Sequence, residues 1–176
     1  MTAYAIIMRE RTTDPDVLAQ YREKARLAPD DVRTIMNDIV SDSPSDNVKG
    51  IERLYAAFTR GDGAGALAEM AGQIEWNEAE NFVYSDRNPY RSPNAVAEGV
   101  FGRLVADWAD YEATASELFG MGNIVVALGR SKGIHRATGK KMDAQFAHIW
   151  RVDAGKIVGF QQYIDTLQVW RAAQAS

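Results

Sequence analysis

The chain contains no cysteine, which excludes disulfide bonds, thiol catalysis and thiolate metal sites. It also has no apolar run approaching the roughly 20 residues of a membrane-spanning helix, so we expect no membrane partner. A concentrated basic region is missing too. Acidic and basic residues are interspersed, and the formal net charge of −4 argues against a nucleic-acid partner. The opening residues lack the pattern of a secretory signal, and with the missing cysteines they favour a cytoplasmic location.

A polar, proline-containing stretch at residues 41–47 divides the chain and is predicted to be a linker. Residues 1–40 before it carry a short strand pattern followed by a helical pattern. They are predicted to form a β-α extension too small to hold a core of its own. Residues 48–176 after it are long enough to bury a sizeable core and form the main domain.

Helical patterns come first in the main domain and strand patterns follow. An apolar stripe that starts at Val48 predicts a helix, and Ser92 followed by Pro93 predicts the beginning of another that runs to about residue 108. Strands are predicted at residues 74–82, 111–118, 124–135 and 142–165, the last range being a hairpin. This order favours an α+β fold in which a curved antiparallel sheet wraps around helices and forms a cone with an internal pocket.

The hairpin at residues 142–165 places polar side chains among large apolar ones. Because side chains alternate along a strand, Phe146, His148 and Trp150 share one face of the first strand. On the second strand, Gln162 shares a face with the neighbouring apolar residues. A histidine and a glutamine in such surroundings predict the floor of a pocket.

The strand predicted at residues 74–82 brings two carboxylates onto the face of a tryptophan. Trp76, Glu78 and Glu80 follow each other with a period of two. A carboxylate buried beside tryptophan has a raised pKa and suits a general base that works near neutral pH. The alternative is an outward, solvated face. We predict that at least one of the two carboxylates lies in the pocket.

His148 and the remaining pocket candidates each have two interpretations. His148 could serve as a general acid or oxyanion donor, or it could be a core histidine bonded to a backbone carbonyl. Tyr55 lies at a core position of its helix and could also reach a substrate, whereas Tyr90 and Trp108 could line the pocket mouth or only pack. The predicted substrate-binding residues are Tyr55, Trp76, Tyr90, Trp108, Phe146, Trp150 and Gln162. No ligand spacing requires a metal, and no cofactor is predicted.

Four sequence blocks carry a resemblance to a known family: VKGIERLYAAFTRGD, IEWNEAE, PYRSPNAVAEGVF and the segment from ATGKKMDAQ to QQYIDT. In their order and spacing they resemble the cystatin-like α+β cone proteins, especially the SnoaL-like group related to ketosteroid isomerase and polyketide cyclase. The resemblance covers residues 48–172 and implies the cone fold. It does not select one activity, because this scaffold hosts isomerases, dehydratases, cyclases and plain binding modules.

The resemblance also implies roles for particular positions. His148 matches the position of an oxyanion donor, and Glu78 is the nearest match to the carboxylate base. The oxyanion tyrosine of the isomerases aligns with Leu54, one residue from Tyr55. The catalytic aspartate that cyclases carry on the last strand corresponds to Gln162, which cannot exchange a proton at neutral pH.

We therefore expect a small-molecule-binding protein that carries out cofactor-free proton transfer, of the isomerase or lyase type, on an apolar carbonyl compound. The alternative is a non-catalytic ligand-binding or dimerisation module. The outward hairpin residues include apolar side chains, which predicts a homodimer formed through the outer face of the sheet. These outward residues are Gln145, Ala147, Ile149, Gln161 and Tyr163.

Overall fold

The computed structural model describes residues 46–175, so the predicted β-α extension at residues 1–40 lies outside the described part. The first described helix begins at Asp46, which makes the last two residues of the predicted linker helical. The helices are α1 (Asp46–Thr59), α2 (Gly63–Ala68), α3 (Pro93–Val96), α4 (Gly102–Asp107) and α5 (Thr166–Ala173). The strands are β1 (Met70–Asn77), β2 (Trp108–Met121), β3 (Ile124–His135), β4 (Lys141–Asp153) and β5 (Lys156–Ile164). Across residues 46–175, none of the helices combines the length and apolar character that a bilayer span requires.

The strands form one five-stranded sheet in the order β1-β5-β4-β3-β2. The pairs from β2 to β5 are antiparallel, whereas β1 runs parallel to β5. The predicted α+β fold with a curved sheet is confirmed, but the sheet is mixed rather than antiparallel throughout. A tight hairpin would force β1 to run antiparallel to its neighbour, and β1 instead reaches β5 through all the intervening elements. Register shifts in the β1–β5, β2–β3 and β4–β5 pairs bend the strands.

The predicted hairpin is present as β4 and β5. Its turn has positive φ angles at both central residues, 46° at Ala154 and 74° at Gly155. This is the backbone that a two-residue type I′ turn requires, and glycine adopts it without strain. The turn pairs Asp153 with Lys156, and a one-residue register shift between Arg151 and Val152 then places His148 opposite Gln162. Both side chains are therefore buried on the same face of the sheet.

The helix α1 covers the concave face of the sheet with an apolar stripe. Ile51 and Leu54 are completely buried, and Tyr55 is nearly so. Their spacing places them on one side of the helix, and each fully buried aliphatic side chain stabilises the fold by roughly 1.5–3 kcal/mol. A second buried cluster, which includes Phe82, Tyr84, Trp108 and Val169, joins α5 to the loop after β1.

Between α3 and α4 the helix contains a π-helical turn at Ala97–Phe101. Ser92 caps the beginning of this helical segment by accepting a hydrogen bond from the Ala95 N–H, as its sequence predicts. Such turns insert one residue into a helix and occur frequently at functional sites. Here Val100 and Phe101 both face the interior cavity described below.

The opposite face of the sheet carries the residues predicted to pair with a second copy. Gln145 and Tyr163 are exposed there, while Ala147, Ile149 and Gln161 are half-buried. Tyr163 is 56% exposed. Pairing of two chains through this face stays a prediction.

Gly129 on β3 lies between β2 and β4, where the neighbouring atoms leave no room for a side chain. A Cβ atom at this position would overlap the Thr114 carbonyl oxygen and the ring of Phe146. We expect Gly129→Ala to lower the free energy of unfolding by about 2 kcal/mol, because overpacking forces backbone and ring to shift. Denaturant unfolding followed by circular dichroism measures this change.

The matched control is Gly72→Ala on β1, where an added Cβ meets nothing within 4 Å. We expect this variant to unfold within about 0.5 kcal/mol of the unmodified protein. Equal destabilisation of the two variants would show that the crowding at Gly129 is not significant.

Candidate active site

An apolar cavity of about 200 Å³ lies between the helices and the concave face of the sheet. Aromatic and aliphatic side chains form most of its wall, and three polar side chains from separate strands or strand ends reach it together with a tyrosine. The lining residues are Phe58, Gly61, Gly63, Trp76, Glu78, Phe82, Val100, Phe101, Leu104, Val105, Tyr111, Ala113, His148, Trp150, Phe160 and Gln162. A concave, mostly apolar pocket with a few convergent polar groups is the usual form of a small-molecule site.

His148 lies on the sheet face that lines the cavity and is held between aromatic rings. Its imidazole stacks on Phe146, with ring centroids 3.8 Å apart and planes 8° from parallel. Its Nδ1 lies 2.7 Å from the hydroxyl oxygen of Tyr55, which is not itself a lining residue of the cavity. Burial lowers the pKa of His148 to about 3, so the ring is neutral at physiological pH.

The surroundings of Tyr55 indicate which nitrogen of His148 carries the proton. The hydroxyl is buried, and burial raises the pKa of Tyr55 while the neighbouring Trp150 side chain lowers it by a smaller amount. Its hydrogen needs an acceptor, and within residues 46–175 the nearest one is His148 Nδ1. We therefore assign the tautomer in which Tyr55 donates to Nδ1 and the proton lies on Nε2. That Nε2–H is buried without a hydrogen-bond partner in the described part of the chain.

Glu78 follows the last residue of β1 and is 2% exposed. Its backbone is fixed by Asn88, which accepts a hydrogen bond from the Glu78 N–H at 3.0 Å and donates one to the Glu78 carbonyl at 2.7 Å. The Trp76 indole N–H donates to Glu78 Oε1 across 2.6 Å. The second oxygen, Oε2, is buried and has no partner among the described residues.

Burial makes Glu78 a proton acceptor suited to neutral pH. It raises the pKa of this carboxyl from an ordinary value of 4.5 to about 7, although the hydrogen bond from Trp76 acts in the opposite direction. At pH 7 a substantial fraction is therefore ionised and the rest is protonated. A group with this pKa can remove a proton and return it, because the free-energy cost of the transfer is small in either direction.

Two further polar side chains complete the cavity. Gln162 accepts a weak hydrogen bond from the Ala79 N–H at 3.4 Å through its Oε1. Tyr111, which the sequence interpretation missed, reaches the cavity from β2 and donates to Ser131 Oγ at 3.4 Å. Burial raises the pKa of Tyr111 to about 12, which keeps its hydroxyl protonated. Tyr111 and Ala113 are two residues apart on one strand, so their side chains share a face, and both line the cavity. This spacing was the sequence signal that could have identified Tyr111.

The structure brings together some of the predicted residues but not all of them. Trp76, Glu78, His148, Trp150 and Gln162 line one cavity. Two other predicted residues lie directly behind it, since Tyr55 and Phe146 contact the imidazole of His148 from within the core.

Glu80 does not reach this cavity. The strand β1 ends at Asn77 instead of continuing to residue 82, and Glu80 lies exposed in the following turn. The consecutive residues Glu78 and Ala79 are both buried, so the alternation that would have placed Glu80 on the face of Trp76 is already broken before Glu80.

Tyr90 and Trp108 are buried but do not line the cavity either. The Tyr90 ring packs against Gly99, and its hydroxyl donates to the Tyr84 carbonyl. Trp108 belongs to the second core cluster and donates to the Tyr84 hydroxyl at 3.1 Å. Both therefore stabilise the loop after β1.

The cavity also includes aromatic residues that the sequence interpretation did not assign to it. Phe58 comes from α1, Phe82 from the loop after β1, Phe101 from the π-helical turn and Phe160 from β5. Over residues 46–175, no cluster of three or more His, Asp or Glu side chains is arranged to hold a metal ion.

Comparison with known proteins identifies relatives for this architecture. An NTF2-like protein from Burkholderia thailandensis E264 is 40% identical, with 73% of this chain and 97% of that chain covered and a TM-score of 0.70. A protein with a ketosteroid isomerase-like fold from Catenulispora acidiphila DSM 44928, in complex with trimethylamine, is 13% identical, with 72% and 93% covered and a TM-score of 0.62. IdmH from Streptomyces antibioticus, described as a candidate polyketide cyclase, is 21% identical, with 72% and 96% covered and a TM-score of 0.61. No curated protein matches the chain.

The family model of the SnoaL-like domain matches residues 51–160, which include the helix α1 from Ile51 onward, the hairpin up to Phe160 and nearly all residues of the cavity. This match confirms the resemblance found in the sequence and agrees with the cone fold of the similar structures. The chain belongs to the SnoaL-like domain family.

Proposed function

We propose that the protein transfers a proton at the carbon next to the carbonyl group of a small apolar compound, without a cofactor. The observation that carries this proposal is a set of three buried polar atoms on residues that line one apolar cavity, each without a partner within residues 46–175: Glu78 Oε2, His148 Nε2 and Trp150 Nε1. Burying a polar atom without a partner costs on the order of 1–3 kcal/mol. A ligand in the cavity that supplies partners to Glu78 Oε2 and His148 Nε2 accounts for two of these three atoms.

Glu78 is the group suited to move the proton. Its ionised Oε2 would remove a proton from the carbon next to the carbonyl. The electron pair of the broken C–H bond would form the carbon–carbon double bond of an enolate, and the π electron pair of the carbonyl group would move onto the oxygen. Return of the same proton to another carbon gives an isomerisation, and departure of a leaving group gives an elimination. Within the described residues that line the cavity, Glu78 is the one carboxylate.

His148 is suited to stabilise the charge that develops on the oxygen. Its neutral Nε2–H donates a hydrogen bond to this oxygen in surroundings from which water is largely excluded, where such a bond is strong. Tyr55 holds the imidazole in the donor tautomer from behind. Gln162 occupies the place where a last-strand carboxylate would be, and its amide can orient a substrate but cannot take a proton.

Replacement of Glu78 tests the proton transfer. Acetophenone and cyclic enones, incubated in D₂O with the protein, should exchange the hydrogens next to the carbonyl, as followed by proton NMR. We expect Glu78→Gln to slow this exchange by about 10²–10⁴-fold, because glutamine keeps the hydrogen bond from Trp76 but cannot accept the proton. Glu80→Gln, in the exposed turn, is the matched control and should exchange at the unmodified rate. If both variants exchange at the rate of the unmodified protein, the cavity binds ligands without this chemistry.

Replacement of Tyr55 tests the assigned tautomer. In Tyr55→Phe, His148 Nδ1 loses its donor, so the tautomer with the proton on Nδ1 becomes populated and the donor toward the cavity is lost. Nitrogen NMR of His148 should show the signals of Nδ1 and Nε2 moving toward each other, and the exchange rate should fall by about tenfold. Tyr163→Phe, at an exposed tyrosine, is the control. Unchanged nitrogen signals in Tyr55→Phe would contradict the assignment.

The raised pKa of Glu78 also predicts how stability depends on pH. The folded protein retains this proton up to about pH 7, whereas the unfolded chain releases it near pH 4.5. The contribution of Glu78 is therefore fully present below pH 4.5 and is lost as the pH rises through 7. Relative to Glu78→Gln, the unmodified protein should lose up to about 3 kcal/mol of unfolding free energy between pH 5 and pH 8.

Chemical denaturation of both proteins at several pH values measures this difference. His148, whose pKa is lowered, destabilises the folded state as the pH falls below 6.5. Because His148 is present in both proteins, its effect cancels in the comparison. Parallel stability curves for the two proteins would mean that the pKa of Glu78 is ordinary.

A further inference from the structure

The size of the cavity limits the buried part of the substrate. Its volume is about 200 Å³. Ligand pockets commonly measure roughly 300–1,000 Å³, and a cavity of about 150 Å³ is filled by one benzene molecule. The space therefore suits one six-membered ring with a short substituent, and a fused ring pair that carries the same substituent needs a larger volume.

The walls favour a flat, aromatic or conjugated ring. Trp76 and Phe160 lie with ring centroids 3.9 Å apart, and Trp150 lies 4.4 Å from Phe160. Phe101 meets Trp76 edge-on at 5.7 Å. Aromatic rings prefer such offset and edge-on neighbours, so a planar ligand ring is stabilised beyond the area that it buries.

The charges in the cavity select an uncharged ligand. No arginine or lysine is present among the described residues that line it. Of the three ionisable side chains that line it, Glu78 becomes negative above about pH 7, whereas His148 and Tyr111 are neutral at this pH. An anionic ligand would lose its hydration without gaining a cationic partner and would be repelled by Glu78.

We propose that the substrate is a neutral ketone whose buried part is a single planar ring with a short acyl group. This inference rests on the proposed function. The acyl oxygen accepts the hydrogen bond from His148 Nε2, and the adjacent C–H faces Glu78. Val105, which is 71% exposed and lines the cavity, marks its opening. Any longer part of the substrate extends into solvent beyond Val105.

A panel of four probes tests this assignment by equilibrium binding at pH 8, without turnover. Calorimetry gives the affinity. The indole N–H signals of Trp76 and Trp150 report occupancy of the cavity by NMR, and those of Trp108 and Trp170 serve as references because neither lines it. Acetophenone should bind. Ethylbenzene, which lacks the oxygen, benzoate, which is anionic, and 1-acetylnaphthalene, whose second ring lies beside the acyl group, should each bind at least about tenfold more weakly.

An enlarged cavity provides the second arm of the test. Phe101→Ala removes a half-buried ring from the wall and should admit 1-acetylnaphthalene with at least about a tenfold gain in affinity. The matched control, Phe119→Ala, removes an exposed ring that does not line the cavity and should leave all four affinities unchanged.

Each of the opposite results overturns the proposal. If 1-acetylnaphthalene and acetophenone bind the unmodified protein equally, the proposed size limit is wrong. If benzoate binds as tightly as acetophenone, the proposed selection for a neutral ligand is wrong. Failure of acetophenone to bind, or equal binding of ethylbenzene, removes the ketone assignment. The proton-transfer proposal is judged separately by the deuterium exchange of Glu78→Gln, so failure of one can be distinguished from failure of the other.

Discussion

The hydrogen bond between Tyr55 and His148 connects the first helix of the domain to the middle of its sheet. The two residues lie 93 positions apart in the chain, and the bond between them is buried. It gives the helix α1 a single rotation relative to β4, because a different rotation would leave both the hydroxyl and the imidazole without a partner. The aromatic rings around it, including Phe146 and Trp150, then pack against a fixed centre.

The same burial acts in opposite directions on the two reactive groups. Removal from water disfavours the charged form of each, so it raises the pKa of Glu78 and lowers that of His148. Glu78 becomes able to exchange a proton near neutral pH, while His148 becomes a neutral donor that does not titrate there. One apolar cavity thus gives the two groups different protonation behaviour at neutral pH without any charged partner in contact with either group, as far as residues 46–175 show.

The hairpin β4–β5 could be predicted from the sequence because its alternation and its turn are local signals. They correctly placed His148 and Gln162 together on the inner face. The end of β1 could not be predicted in this way. Phe82 continues an apolar pattern in the sequence, but it is buried in a different cluster with Trp108 and Val169, which come from distant parts of the chain. Glu80 was misplaced for this reason, and the partnership of Tyr55 with His148 likewise depends on tertiary packing.

The π-helical turn at Ala97–Phe101 adds one residue to the helical segment that borders the cavity. Each residue of an α-helix corresponds to a rotation of about 100° and a rise of about 1.5 Å. Without the added residue, α4 would rotate by this amount, and Leu104 and Val105 would turn away from the cavity that they now border. The position of the cavity opening thus depends on the number of residues in this helical segment as well as on their chemical nature. Insertion or deletion of one residue there would move the opening.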